Sequence, residues 1–197
     1  MTVKPGKAAL SGHSGPFGVI LADPPWRFRN GGNGAAANHY QTMAPADVCL
    51  LPVRRLAAPD AVLILWATWA TLPDAMRVIP AWGFEYKSGF PWVKVQKGET
   101  ETARRGDPFR PVFGTGFWVR GCSEPILLAK RGEGKHPARS WLGLISERAE
   151  HSRKPDDIYE YAESFPGPYL ELFARRPRPG WSAWGNEIES DITMGDA

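Results

Sequence analysis

The stretch FGVILADPPW, Phe17 to Trp26, decides how this chain is read. Its first six residues are apolar and end abruptly in turn chemistry, the pattern of a short strand buried on both faces. Asp23-Pro24-Pro25 stops the strand, because proline brings no amide donor and restricts the residue before it. A buried strand that ends in an acid and a rigid loop puts that acid where open α/β sheets bind ligands, beyond the C-terminal strand ends.

Working outward, the same apolar pattern recurs at Ala61 to Ala67 (AVLILWA), Glu124 to Ala129 (EPILLA) and Tyr169 to Ala174 (YLELFA). Met43 to Leu56 and Leu72 to Ala81 carry helical spacing, Gly83 breaks the second, and Phe84 to Val95 reads as extended. Pro155 with Asp156 and Asp157 predicts a helix start, proline in first position and acids against the dipole, running through Ile158, Tyr159 and Ala162. Strands alternating with helices over 197 residues predict one α/β domain with a mostly parallel sheet and helices on both faces. Residues 17–189 form that domain, between a flexible segment 1–16 and an acidic tail 190–197.

Composition narrows the class. Hydrophobic residues at 43% and charged residues at 23% exclude a disordered or fibrous chain. Nine Trp, nine Phe and five Tyr alongside 19 Pro and 21 Gly point to flat aromatic surfaces on rigid loops. No apolar run approaches the roughly 20 residues a membrane span needs, and residues 1–16 lack the apolar core of a secretory signal. Cys49 and Cys122 show neither metal spacing nor a disulfide framework, so a reducing, cytoplasmic setting and no metal are expected. The net charge is +3, yet Lys94 to Arg139 holds ten basic against five acidic residues, a balance that suits a phosphate-bearing partner or a solvated loop.

Asp23-Pro24-Pro25-Trp26 has a chemistry of its own. Two prolines fix the backbone, so the carboxylate of Asp23 and the carbonyl of Pro24 are acceptors with set directions, next to an indole face. Two acceptors and a stacking surface suit a planar group bearing NH2, such as the exocyclic amine of adenine. That amine is a weak nucleophile until acceptors hold its hydrogens, and acceptors placed in advance are electrostatic preorganisation. A rigid turn above a core Trp would use the same four residues.

The chain resembles the DPPW-motif adenine-N6 methyltransferases, the family of the catalytic subunit of the eukaryotic messenger-RNA adenosine methyltransferase with its bacterial and phage relatives. The likeness rests on VILADPPW, YQTM at Tyr40 to Met43, LILWAT, WGFEYKSGFPWVK, HSRKPDDIY, ELFAR and WGNE, in that order over nearly the whole chain. It implies a Rossmann-like fold with permuted motif order, S-adenosylmethionine as cofactor, and transfer to the adenine amine of nucleic acid, DNA ahead of RNA. Asp23, Pro24, Pro25 and Trp26 would be catalytic, with Trp26 lining the base pocket. Asp23, Glu171, Arg175, Asn186 and Glu187 would bind cofactor, Glu171 and Arg175 near the ribose and Asn186 with Glu187 near the adenine. Tyr40 would close over the substrate, and Arg104, Arg105 and Arg110 would meet phosphates from the substrate-facing loops 27–42 and 96–116. Specificity would come from Gln96 to Gly116 and Asn30 to Asn38, from a homodimer, or from a partner subunit.

Two departures from the family pattern imply either weaker cofactor binding or substitution by other groups: residues 1–22 contain no acid, and no lysine stands near Cys122 or Ser123. Two other readings stay open, an inactive nucleic-acid-binding subunit and a methyltransferase of a protein side-chain amide.

Overall fold

The computed structural model describes residues 15–27, 42–114, 118–133, 137, 141, 143–148 and 153–194. The elements run β1 (Phe17–Ala22), α1 (Pro45–Leu50), α2 (Val53–Leu56), β2 (Ala57–Trp66), α3 (Leu72–Ala81), β3 (Glu85–Val95), α4 (Thr100–Arg104), β4 (Ser123–Arg131), β5 (Leu144–Glu147), α5 (Asp157–Glu163), β6 (Tyr169–Leu172) and β7 (Trp181–Trp184). The strands form one seven-stranded sheet in the order β5-β3-β4-β2-β1-β6-β7. β4 runs antiparallel to β2 and β3, and every other neighbouring pair is parallel.

The period of two in each central strand builds two cores, one per face. Ile20 and Ala22 of β1 and Leu63 and Leu65 of β2 pack on one side with Val48 of α1, Val53 of α2 and Val78 of α3. Val19, Leu21, Ile64 and Trp66 pack on the other with Ile158, Tyr159, Tyr161 and Ala162 of α5. The expected α/β sheet, mostly parallel and with helices on both faces, is therefore present.

Local chemistry corrects three boundaries. Met43 to Leu56 is two short helices rather than one, because Pro52 forces Leu51 into extended backbone. Pro155 lies ahead of the N-cap residue Asp156 instead of in the first turn of α5, where its carbonyl accepts from the Ile158 amide at 3.3 Å. Asp191, assigned to the tail by sequence, holds the β7 edge: its carboxylate accepts from the Ala183 amide at 2.9 Å, and Ile192 and Met194 pack on the core.

Gly185 has a structural reason to be glycine. A Cβ there would collide with the Ala174 carbonyl oxygen, and the Ala174 amide donates to the Trp184 carbonyl at 2.9 Å. This approach of backbone to backbone sets the segment after β7 beside the end of β6.

Candidate active site

β1 and β6 are hydrogen-bonded neighbours, so their C-terminal ends put Asp23 and Glu171 on one rim. The Asp23 amide donates to the Leu172 carbonyl at 3.4 Å. Beyond it the DPPW loop is tied down: the Pro24 carbonyl accepts from the Trp26 amide at 2.8 Å, and the Pro25 carbonyl accepts from the Met43 amide at 2.8 Å. A carbonyl has two lone pairs, so Pro24 keeps one for a ligand.

Trp26 departs from expectation. Its indole N–H donates to the Trp66 carbonyl at 3.0 Å and the residue is only 5% exposed, so the ring is a core support under the loop rather than an open stacking face. Burial of so large an aromatic fixes the loop that carries Asp23.

Asp23, Glu171, Arg175 and Glu187 line one cavity of about 300 Å³ on the α5 face of the sheet, with Leu21, Trp66, Phe173 and Tyr159 among its walls. Phe173 has φ 63°, a left-handed conformation that a bulky residue adopts only under constraint from its surroundings. Its ring meets Trp184 edge-on at 5.4 Å. Arg175 reaches the Glu187 carboxylate at 3.4 Å. Asn186 is exposed and lies off the cavity wall.

The Tyr159 hydroxyl donates to Glu171 Oε2 at 2.9 Å. Burial pushes the Glu171 carboxyl up to about 7, Tyr159 pulls it back, and the negative charge of Asp23 adds to the rise. Glu171 therefore changes protonation state within the physiological range.

Sequence reasoning missed the cation that sits on Asp23. Lys154 places Nζ 2.9 Å from Asp23 Oδ2 and 3.5 Å from Glu124 Oε2, above the Trp66 ring at 5.1 Å from its centroid. It sits inside HSRKPDDIY, just ahead of a helix start, which was the available signal. Its partners come from other strands, and pairing across the sheet is invisible in one sequence.

Arg104, Arg105 and Arg110 lie outside the cavity, each against an acid: Arg104 with Asp157 at 3.1 Å, Arg105 with Asp107 at 3.2 Å and Arg110 with Glu99 at 2.6 Å. Tyr40 falls outside the described residues. Among the described residues, no group of three or more His, Cys, Asp or Glu could hold a metal, and no helix is long and apolar enough to cross a membrane.

The family described as MT-A70 matches residues 17–187, from the first residue of β1 to the acid that pairs with Arg175. The chain belongs to the MT-A70 family. Among curated proteins it is 29% identical over 183 residues to the N(6)-adenine-specific methyltransferase METTL4 of Homo sapiens, covering 87% of this chain and 37% of that protein. It is 27% identical over 187 residues to the N6-methyladenosine RNA methyltransferase MTA1 of Cryphonectria parasitica, covering 87% and 52%. It is 28% identical over 199 residues to the type II methyltransferase M.MunI of Mycoplasma sp, covering 87% and 78%. The chain thus spans about a third to a half of the first two. In this MT-A70 member the motif strand β1 lies inside the sheet between β2 and β6, and the acid that follows it faces the cavity.

Proposed function

We propose that this chain transfers a methyl group from S-adenosylmethionine to the N6 amine of adenine in nucleic acid, DNA ahead of RNA. The observation that carries the reading is the pair of carboxylates, Asp23 and Glu171, facing one cavity from the C-terminal ends of adjacent strands. Membership of the MT-A70 family and the adenine-directed names of two relatives support it. Of the three relatives, the type II methyltransferase is the one whose length the chain most nearly fills.

The residues present fit the cofactor. A carboxylate beside a hydroxyl donor, Glu171 with Tyr159, suits ribose hydroxyls, and the arginines of the rim, Arg175 and Arg176, suit a carboxylate. Trp66 and Phe173 offer apolar wall to the rest. When bound, S-adenosylmethionine supplies a methyl group on a sulfonium, the electrophile of the reaction.

The chain's own part is to hold the amine. Asp23 and the free lone pair of the Pro24 carbonyl accept its two N–H bonds and favour the geometry in which nitrogen presents its lone pair. Asp23 is also the group placed to hold the proton that the nitrogen sheds. In a duplex the adenine must first leave the stack, at a cost of a few kcal/mol.

Incubation with methyl-labelled cofactor and separate DNA, RNA and protein pools, followed by nucleoside analysis, tests the reading. N6-methyladenine in DNA is expected; label in RNA alone reassigns the substrate. Label only in protein supports the amide reading and overturns this one.

Phosphate contact by the basic loop is a separate prediction. Replacing Arg104, Arg105 and Arg110 together with Ala should lower the salt dependence of nucleic-acid binding by roughly 0.7 to 0.9 per lost contact. The total should fall short of three contacts, because each guanidinium already pairs with an acid. Arg27 and Arg120, both exposed and without a carboxylate partner among the described residues, are the better single sites. A titration across several salt concentrations decides it: an unchanged slope for the triple variant removes the loop from the interface.

A further inference from the structure

Lys154 holds one oxygen of the carboxylate that the amine is expected to use. Its Nζ lies 2.9 Å from Asp23 Oδ2, so in this state the ammonium is the hydrogen-bond partner of the proposed catalytic acid. A substrate N–H and a lysine N–H then draw on the same carboxylate. The structure also holds a second place for the lysine to go.

Glu124 stands near the start of β4, opposite Trp92 in the antiparallel register with β3. Its Oε2 is 3.5 Å from Lys154 Nζ, and its Oε1 accepts from Lys94, whose ammonium lies over the Trp92 ring at 4.6 Å. Charge-assisted contacts settle at about 2.7 to 2.9 Å, so a movement of roughly 0.7 Å completes the second pairing. The side chains of Lys154 and Glu124 are each 19% exposed, little enough for the pairing to resist solvent screening. Burial raises the Glu124 carboxyl, yet Lys154 and Lys94 outweigh it and hold it below the usual range, so it stays anionic at neutral pH.

We infer that Glu124 is a positioning residue that draws Lys154 off Asp23 when the adenine amine arrives, with Lys94 anchoring Glu124. The inference rests on the proposed adenine reaction. It gives a role to a two-acid, two-lysine cluster that links β1, β3, β4 and the start of α5, and leaves Asp23 masked until substrate enters. Glu171, Arg153 and Tyr159 line the same cavity and contribute to its field.

The test is Glu124→Gln in the full chain, assayed at saturating cofactor. Without the second carboxylate Lys154 stays on Asp23, so kcat should fall about 10- to 100-fold, the scale of a charge-assisted hydrogen bond, while the cofactor dissociation constant changes less than threefold. Glu124→Asp should restore part of the rate.

If Glu124→Gln does not fold, as thermal unfolding will show, Lys94→Met takes away the contact that anchors the same carboxylate and should reproduce the loss. Wild-type kcat in a folded variant, or a loss that Glu124→Asp does not rescue, overturns the positioning role while leaving the adenine reaction intact. Absence of adenine methylation by the wild-type chain overturns both.

Discussion

Asp23→Ala should reduce methyl transfer about 100- to 1000-fold, the usual cost of removing one preorganised polar group that acts on the transition state. The loss should lie in kcat rather than in cofactor binding, because the amine's developing charge, not the resting cofactor, is what Asp23 meets. The fold should survive. Asp23 is 29% exposed, its backbone amide bond to Leu172 is independent of the side chain, and Lys154 retains Glu124 at 3.5 Å as a partner. Initial-rate assays on DNA with purified, circular-dichroism-matched proteins measure this. A variant with the wild-type rate would remove Asp23 from catalysis and with it the adenine reading. Asp23→Asn separates charge from shape: its amide oxygen still accepts one N–H, so an intermediate rate is expected.

What the sequence disclosed follows how local each feature is. β1, β2 and α3 were legible because their patterns need no partner: six or seven residues of unbroken apolar character, at Phe17–Ala22 and Ala61–Ala67, or helical spacing stopped by Gly83. β5 and β7 were missed because each has only four residues, and LISE and WSAW take their strand character from pairing with β3 and β6. α4 was read as loop, since a five-residue helix rests on the contact it makes, here Arg104 to the Ile145 carbonyl and Asp157. The site divides in the same way. Asp23 could be found from a strand end and two prolines. Lys154, Glu124 and Tyr159 could not, because each matters only through a side chain that arrives from another strand, and Trp26 looked available for stacking until its N–H was found on Trp66.

Glu171→Gln should change cofactor binding and folding stability in opposite directions, and both changes should depend on pH. The carboxyl titrates near 7, raised by burial, lowered by the Tyr159 hydrogen bond, raised again by Asp23 and lowered by Arg176 and Arg178. Ribose hydroxyls donate most strongly to the carboxylate, so wild-type affinity should weaken by up to about tenfold per unit as pH falls below 7. The glutamine variant should bind about 10- to 100-fold more weakly at pH 8 and show little change down to pH 6. Folding has the other sign. A carboxyl whose folded value lies above its unfolded value of about 4.3 makes the folded state hold the proton more tightly. Its favourable contribution is full below that unfolded value and is lost as pH rises through 7. Glutamine is never ionised, and its carbonyl still accepts from Tyr159. The variant should therefore be more stable than wild type at pH 8, by up to about 3 kcal/mol, and nearly equal to it at pH 4. Calorimetric titration with S-adenosylhomocysteine and denaturant unfolding at pH 4, 6 and 8 measure the two effects. If the variant binds like wild type at every pH, Glu171 does not contact the cofactor; if it is no more stable at pH 8, the carboxyl is not buried against its charge. Both effects together would mean that this residue gives up folding stability at neutral pH to keep an ionised acceptor at the cavity wall.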